Sequence, residues 1–413
     1  MSSGKFFWTL SLLMVASMAW GQKVTWQDIE KELQTQLILA EDGDVIDLPA
    51  GHYRFTRSLS LDRKSNITLR GAGMNETVFS FADQQEGAEG LKITHGSNIV
   101  LEGFTVLDSR GDAIKVQYVD GITFRDMKTA WSGKPKKSNG AYGFYPVQCT
   151  NVLIELCEAQ GASDAGIYVG QSAHIIVRNN RAYENVAGIE IENSSYADVH
   201  NNDAFNNTGG ILVFDMPNLT RYGSHCRVFD NRVYDNNLKN FAPRGNVVGA
   251  VPAGTGIVLL ATTACQVYGN SISGHRTAAV AMVSYYLMDE DIDDRKEPEY
   301  DPYVTNISIH SNTFDEARKS MPNIRKQLGL LLFLKFGRDV PEILYDGVVD
   351  EDREMQGYNY AGPAGICVRN NGPVRFAFLD LSHGRKADPI MEPEGFDCDK
   401  APLEAAELTL NNE

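Results

Sequence analysis

Short segments in which apolar and polar residues alternate recur along most of the chain. One frame, apolar-x-apolar followed by a turn that ends in Asn, occupies residues 175–180, 197–202, 226–231, 265–270 and 307–312. A second frame follows it, a small residue before apolar-x-apolar, and opens at Gly166, Gly188, Gly210 and Gly256. A third, shorter apolar pair lies between the two, as at Ala182-Tyr183. A period of two over runs this short predicts β-strands, three to each repeat.

The spacing of the repeat selects the architecture. Gly143 and Gly166 are 23 residues apart, and Gly166, Gly188 and Gly210 follow at intervals of 22. Three short strands and three turns fit that length, whereas the Leu-x-x-Leu-x-Leu frame of leucine-rich repeats is absent and propeller blades are about twice as long. The pattern therefore predicts an all-β fold, a right-handed single-stranded parallel β-helix with 22–23 residues in each coil. Ile189 should point inward and its neighbour Glu190 outward.

The turn that ends the first frame repeats one residue type. It places Asn in a single column at Asn180, Asn202, Asn231, Asn270 and Asn312. Side-chain amides stacked in this way donate and accept hydrogen bonds from coil to coil, and they pair the backbone groups of a buried turn. We expect an Asn ladder along the later coils.

The two ends of the chain differ from the repeat. Lys5, the apolar run 6–18 and Ala19-Trp20-Gly21 are typical of a secretory signal, so we assign residues 1–21 to a signal peptide and expect an exported protein. Residues 22–65 are predicted to form a cap and the first coil, with an amphipathic helix over 26–40. The repeat domain spans 66–344, and 345–413 holds the last coils and a closing tail. The caps would cover the sheet edges that an open β-helix exposes.

The net charge of the chain narrows the classes of binding partner to be expected. The formal net charge of −16 disfavours nucleic acid and anionic membranes, and no second apolar run is long enough to span a bilayer. A polyanionic glycan would need a local basic patch or a bridging cation such as Ca²⁺; no other cofactor is predicted. Six cysteines in an exported chain permit disulfides, and Cys367 with Cys398 is the candidate pair. Cys226 and Cys265 fall in the inward column and could be a disulfide or two buried thiols.

The opening coils resemble a known superfamily. Residues 42–53, Asp-Gly-Asp-Val-Ile-Asp-Leu-Pro-Ala-Gly-His-Tyr, and residues 66–73, Asn-Ile-Thr-Leu-Arg-Gly-Ala-Gly, are similar to the first coils of pectate-lyase-like proteins. Residues 209–217, 240–243 and 251–256 resemble exported bacterial parallel β-helix repeat proteins, a functionally uncharacterised branch of that superfamily. The resemblance implies the fold over nearly the whole chain. It implies no single activity, because the superfamily includes lyases, hydrolases, epimerases, adhesins and binding proteins.

In relatives of this shape, ligands lie along the sheet that carries the Gly frame. The outward positions of that sheet, with the strand end that follows, supply the candidate ligand-binding residues Lys115, Tyr145, Tyr168, Glu190, Glu192 and Asp215. Insertions at 131–141, 216–224, 238–254 and 284–303 should wall a groove over the middle coils. Lysine and tyrosine could grip or deprotonate a sugar, while Glu190, Glu192 and Asp215 could bind Ca²⁺ or act as acid and base. The competing interpretation is a solvated sheet face whose side chains pair across strands.

Three functions remain open from the sequence. The first is recognition of a carbohydrate, with a uronate polysaccharide as one candidate, or of another exported protein. The second is a polysaccharide lyase or epimerase in the same groove, although the Asp-Pro-His-Asp, Gly-His-Gly and Trp-Ile-Asp-His motifs of such enzymes are missing. The third is an envelope or adhesin scaffold. The sequence identifies no catalytic residue and does not fix the oligomeric state.

Overall fold

The computed structural model describes residues 25–315 and 320–410, and the predicted signal peptide at 1–21 lies outside them. The chain winds through three parallel sheets, and each full coil contributes one strand to each sheet. Within every sheet the spatial order of the strands follows their order along the chain. This arrangement is a parallel β-helix with three strands per coil, which confirms the predicted architecture.

Each sheet is named here by its strands. Sheet 1 contains Trp26–Gln27, Gly51–Arg54, Thr77–Ser80, Thr105–Leu107, Lys128–Ala130, Glu158–Gln160, Arg181–Tyr183, Asp203–Phe205, Arg232–Tyr234, Ser271–Ser273 and Thr313–Phe314. Sheet 2, which carries the Gly frame, contains Arg57–Asp62, Glu86–Thr94, Ile114–Gln117, Tyr142–Val147, Ala165–Gly170, Ala187–Glu192, Gly209–Phe214, Thr255–Leu260, Ala278–Val283, Ile343–Tyr345, Phe376–Phe378 and the antiparallel Ile390–Met391. Sheet 3 contains Val45–Asp47, Thr68–Arg70, Ser97–Glu102, Asp120–Arg125, Thr150–Glu155, Ala173–Arg178, Ser195–His200, Ser224–Phe229, Thr263–Tyr268, Thr305–His310 and Ile366–Arg369.

Helices lie at the start of the chain and in its connections. The described residues include the α-helices α1 (Glu30–Leu39), α2 (Gln327–Phe336) and α3 (Glu351–Met355), and short 3-10 helices at Val247–Ala250, Tyr285–Leu287, Ile292–Asp294 and Leu381–His383. None of the helices in this part of the chain has the length and apolar character needed to cross a membrane.

The cap helix lies close to its predicted position. The sequence placed it at 26–40, whereas the structure begins it at Glu30 and pairs Trp26–Gln27 as a strand with sheet 1. Leu33 and Leu37 are both buried against the first coil. Lys64 donates to the carbonyl oxygens of Ile38 and Ala40, at 2.7 Å each, and so satisfies acceptors that the helix end leaves unpaired.

The Asn column forms the expected ladder. Asn202 Nδ2 donates to Asn231 Oδ1 and to the carbonyl oxygen of Val177, both at 2.9 Å, and Asn202 Oδ1 accepts from the backbone nitrogen of Asn180. The same pattern continues through Asn270 and Asn312 to Asn371. A second ladder, at Asn185, Asn207 and Asn236, was not predicted.

The position just before each Asn of the ladder has a left-handed backbone conformation, which explains why polar residues and glycine occur there. The positions immediately before it have positive φ, at 57° for Asn179, 55° for Asn201, 52° for Asp230 and 66° for Gly269. Asn, Asp and Gly adopt this conformation at lowest cost, so one turn type is repeated from coil to coil.

The interior of the coils is apolar. Phenylalanines fill the first coils, with Phe79 centred 4.9 Å from Phe55 and 5.1 Å from Phe104, and smaller aliphatic residues fill the later ones. Ile189 is fully buried, as its predicted inward position requires. Cys226 and Cys265 are free, buried thiols in the same interior.

A disulfide anchors the closing tail. Cys367, in the last strand of sheet 3, is bonded to Cys398. From there the tail runs back over the outer face of sheet 3, where Gln266 bonds its backbone at 2.8 and 3.1 Å, Asp198 at 3.2 Å and Asn151 at 2.9 Å. The tail therefore covers several coils of sheet 3.

Candidate functional site

Sheet 2 brings most of the predicted site residues into one row. Lys115 pairs with Tyr145, and Tyr168 pairs with Glu190, which pairs in turn with Leu212 on the next coil. Glu192 lies two residues beyond Glu190 on the same strand. Because all of them occupy outward positions of stacked strands, their side chains share one face of the sheet at intervals of about 4.8 Å.

Three tyrosines pack together in the middle of this row. The ring of Tyr142, which the sequence analysis missed, is centred 4.4 Å from Tyr145 and 4.6 Å from Tyr168, and the latter two rings are 5.0 Å apart. These three residues are called the tyrosine cluster. Tyr168 is only 4% exposed, and its hydroxyl donates to Glu192 Oε1 at 2.7 Å.

Glu190 differs from the solvated face residue of the competing interpretation. Only 2% of it is exposed, and its neighbours on the adjacent coils, Tyr168 and Leu212, are also buried. Burial, with the nearby carboxyl groups of Asp164 and Glu192, raises the pKa of Glu190 well above its ordinary value. Its Oε2 has no hydrogen-bond partner among the described residues. Such an orphaned acceptor is uncommon in a native interior.

Two aspartates that were not predicted join the site. Asp164 precedes the strand of Tyr168, and its Oδ2 accepts from Asn246 Nδ2 at 2.5 Å; burial raises its pKa to about 7. Asp112 precedes the strand of Lys115 and accepts from the backbone nitrogen of Tyr142 at 3.3 Å. Burial raises the pKa of Asp112 to about 6, against the lowering effect of Lys115. Asp112, Asp164, Glu190 and Glu192 are called the carboxyl cluster.

Asp215 has a different environment. Its Oδ1 accepts from the backbone nitrogen of Gly223 at 2.8 Å, and its carbonyl oxygen accepts from Tyr300 at 2.9 Å, so it connects two insertions. Burial raises its pKa to about 7. The calcium hypothesis required Asp215 to converge with Glu190 and Glu192. It gains no support, because the side chains in the described ranges form no group of three that could hold a metal ion.

The comparisons with known proteins concern the fold. Residues 89–287 match the family model described as a right handed beta helix region. This protein is a right-handed parallel β-helix. The match confirms the predicted handedness, and no curated protein sequence matches the chain.

Several solved β-helix structures are similar to this one at low identity. The A-module of the mannuronan C-5 epimerase AlgE4 of Azotobacter vinelandii has 16% identity and a TM-score of 0.47, over 78% of this chain and 91% of that chain. An alginate lyase from Paenibacillus sp. str. FPU-7 has 14% identity and a TM-score of 0.40, over 71% and 96%. An exopolygalacturonase from Thermotoga maritima has 13% identity and a TM-score of 0.43, over 71% and 77%.

The outer face of this β-helix is not one continuous groove. Beyond Glu190 the same row of outward positions continues through Leu212, Val258 and Ala281, but all three are buried beneath the 238–254 and 284–303 insertions and helix α2. They belong to a second apolar core outside the coils. Aliphatic side chains on an outer face lower the free energy of the protein when other segments cover them and remove them from water. A cavity of about 210 Å³ remains inside this cover, lined by Phe214, Val258, Leu260, Leu287 and Leu328 among others. The polar site ends where this apolar region begins, at the pairing of Glu192 with Phe214.

The residues missed by sequence reasoning had a weak signal. Asp112 and Asp164 each precede an alanine at the start of the Gly frame, a position outside the alternation that identified the outward residues. Their contribution depends on long-range contacts. Asn246, which bonds Asp164, is 82 residues away and lies in an insertion without periodicity.

Proposed function

We propose that this β-helix is an exported protein that recognises a carbohydrate at the tyrosine and carboxyl clusters of sheet 2. One observation carries the proposal: three tyrosine rings lie within 5.0 Å of one another beside buried carboxyl groups, and one carboxyl oxygen, Glu190 Oε2, has no partner among the described residues. Aromatic faces with a few directed polar groups are the usual composition of a small-ligand site. Sugars present both an apolar face and hydroxyl groups, so they match both parts.

The site is accessible from one side. Asp112, Lys115, Tyr145 and Glu192 are only half-buried, whereas Tyr168 and Glu190 lie beneath them. A sugar that enters at this edge would meet the ring of Tyr145 first and the deeper carboxyl groups next. This geometry favours the end or a short stretch of a glycan over a long chain laid across many coils, because the later coils are covered.

Charge at the site argues against the uronate that the sequence suggested. The carboxyl cluster has four acidic groups, whereas the basic members of the same row, Lys115 and Lys92, lie together at its other end. A uronate would bring a full negative charge into a partly buried setting whose raised carboxyl pKa values show that it already disfavours negative charge. Neutral or basic sugars therefore fit the site better.

Calorimetric titration of the purified chain with matched neutral, acidic and basic oligosaccharides tests the proposal. We expect saturable binding of at least one neutral or basic glycan, and its loss in Tyr145→Ala. Tyr118→Ala is the matched control, since Tyr118 is 49% exposed and stacks on His95 away from the site. Absence of binding by the wild-type chain, or equal binding by both variants, would contradict the proposal.

Acid–base catalysis is the second candidate at the same site. The pKa values of Asp164 and Asp112, raised by burial to about 7 and about 6, lie near those of effective general acids and bases at neutral pH. Incubation with the glycans that bind, followed by mass spectrometry, separates the two functions. Products that have gained water would indicate hydrolysis, and products with an unsaturated terminus would indicate a lyase. An intact glycan whose configuration is also unchanged by NMR would leave recognition alone.

A further inference from the structure

Hydrogen-bond donors are unevenly distributed over the carboxyl cluster. Tyr168 donates to Glu192, Asn246 donates to Asp164, and the backbone of Tyr142 donates to Asp112. Glu190 is the member whose buried Oε2 receives nothing from the described residues. A buried acceptor without a donor lowers the stability of the free protein, because its desolvation is not compensated. A ligand that brings a donor to this position would therefore recover free energy that the free protein forgoes.

The nearer lysine of this row, Lys115, does not reach Glu190. Lys115, Tyr145, Tyr168 and Glu190 occupy successive strands of sheet 2, so Lys115 is three strand spacings, or about 14 Å, from Glu190 along the row. Its ammonium lies 4.9 Å from the centre of the Tyr145 ring, on the outer side of the tyrosine cluster. The inner side, toward Glu190, has carboxyl groups and no lysine in the row.

Aromatic rings beside carboxylates are a recognition motif for cations. The negative faces of tyrosine rings attract an ammonium group, most strongly where water is excluded, and a carboxylate supplies the counter-charge. Lys115 on Tyr145 shows that one ring of the cluster already accepts an ammonium in this geometry. The inner side offers the same two components, rings and carboxyl groups, and among the described residues the charged groups that shift the pKa of Glu190 are Asp164 and Glu192, with no cation.

We propose that the site selects a glycan with a free, protonated amine, a hexosamine, whose ammonium group is bound by Glu190 within the tyrosine cluster. The inference rests on the carbohydrate recognition proposed above and specifies its ligand class. The amine donates to the orphaned Oε2 and offsets the local excess of carboxyl groups. An N-acetylated sugar has the same ring without the charge, and a uronate has the opposite charge.

Titration calorimetry with three oligosaccharides of equal length tests the inference: one with free amines, its N-acetylated counterpart and a uronate. At a mildly acidic pH, where the amine is protonated, we expect the free amine to bind at least about tenfold more tightly than the N-acetylated sugar. The uronate should bind least tightly. Equal affinity for the amine and its N-acetylated form would overturn the amine inference and leave carbohydrate recognition intact, whereas no binding by any glycan would overturn both.

The release of protons on ligand binding provides a second test of the inference. An ammonium next to Glu190 favours its ionised form, so binding should release protons from the protein, and the apparent binding enthalpy should depend on the ionisation enthalpy of the buffer. The groups that face Glu190 and share this titration are Asp164, Glu192, Tyr142 and Tyr168. Binding of the amine without proton release would contradict ion pairing at Glu190.

Glu190→Gln tests the contribution of the Glu190 carboxylate to the preference for the amine. The variant keeps the size and hydrogen-bonding capacity of the side chain. It should therefore bind the N-acetylated sugar as the wild type does and lose most of the preference for the sugar with a free amine. Glu86→Gln, an exposed carboxyl group on an early strand of sheet 2, is the matched control and should keep the wild-type preference. A full amine preference in Glu190→Gln would overturn the assignment. The wild-type ligand series remains decisive if this variant does not fold.

Discussion

Asn246 Nδ2 donates a hydrogen bond of 2.5 Å to Asp164 Oδ2, and this contact joins the 238–254 insertion to the carboxyl cluster on sheet 2. Asp164 lies in a turn of the repeat, whereas Asn246 lies just before the 3-10 helix Val247–Ala250. Both are largely removed from solvent. The bond therefore links the variable part of the molecule to the repetitive part at the candidate site.

Asn246→Ala should loosen this insertion. The amide lowers the pKa of Asp164, because it donates to the ionised carboxyl group. Its removal should raise that pKa further and cost about 1–3 kcal/mol of unfolding free energy when Asp164 is ionised. Hydrogen exchange of residues 238–254 should become faster, more so above the pKa of Asp164 than below it. Arg244→Ala, an exposed position in the same insertion, should leave the exchange unchanged.

The carboxyl cluster should make stability fall as pH rises. Burial raises the pKa of Asp164 from 3.8 to about 7, so the folded chain holds this proton more tightly than the unfolded chain does. Its contribution to stability is present below about 3.8 and is lost as pH rises through about 7. Denaturant unfolding of Asp164→Asn across this window should show a weaker decline than the wild type, while Asp235→Asn, at an exposed turn, should follow the wild type. If the unfolding free energy declined equally with pH in the wild type and in both variants, the raised pKa of Asp164 would be contradicted.

Ile189→Asp tests the register of the central strand. Ile189 is fully buried and pairs with Ile167 and Ile211 on the adjacent coils. A carboxyl group at this position would have no partner in the apolar interior, and we expect a loss of several kcal/mol or failure to fold. Leu156→Asp adds the same charge at a turn position that is 51% exposed, and its unfolding free energy should stay close to that of the wild type. Similar melting of both variants would show that the register is wrong.

Cys398→Ser should free the closing tail. The disulfide to Cys367 closes a loop with a sequence separation of 31, and the chain-entropy model assigns such a loop about 3–4 kcal/mol. Without it, the tail is held to sheet 3 by one hydrogen bond that Gln266 donates to it and by the bonds that its backbone donates to Asp198 and Asn151, so limited proteolysis within 399–410 should accelerate. Cys226→Ser changes a free buried thiol and should leave the tail protected. Equal protection of the tail in Cys398→Ser would show that the disulfide is not its anchor.

The sequence by itself determined the repetitive part of this protein. Period-two alternation, the 22–23-residue spacing and the Asn column specified three strands per coil, the inward position of Ile189 and the stacked ladder. These features are readable because each coil repeats the same local geometry and contacts its immediate neighbours. The second ladder, at Asn185, Asn207 and Asn236, shows the same recurrence of Asn in the sequence, although it was not predicted.

Only the tertiary structure decided the character of the candidate site. Alternation placed Glu190 on the outer face, but it could not show that the outer face is covered there, that Oε2 has no partner among the described residues or that Asp112 and Asp164 stand beside it. It likewise could not show that helix α2 and two insertions bury Leu212, Val258 and Ala281 in a second apolar core. The reason is physical. Burial and pKa depend on contacts between segments far apart in the chain, such as Asn246 and Asp164, whereas a local pattern reports only the direction in which a side chain leaves its strand.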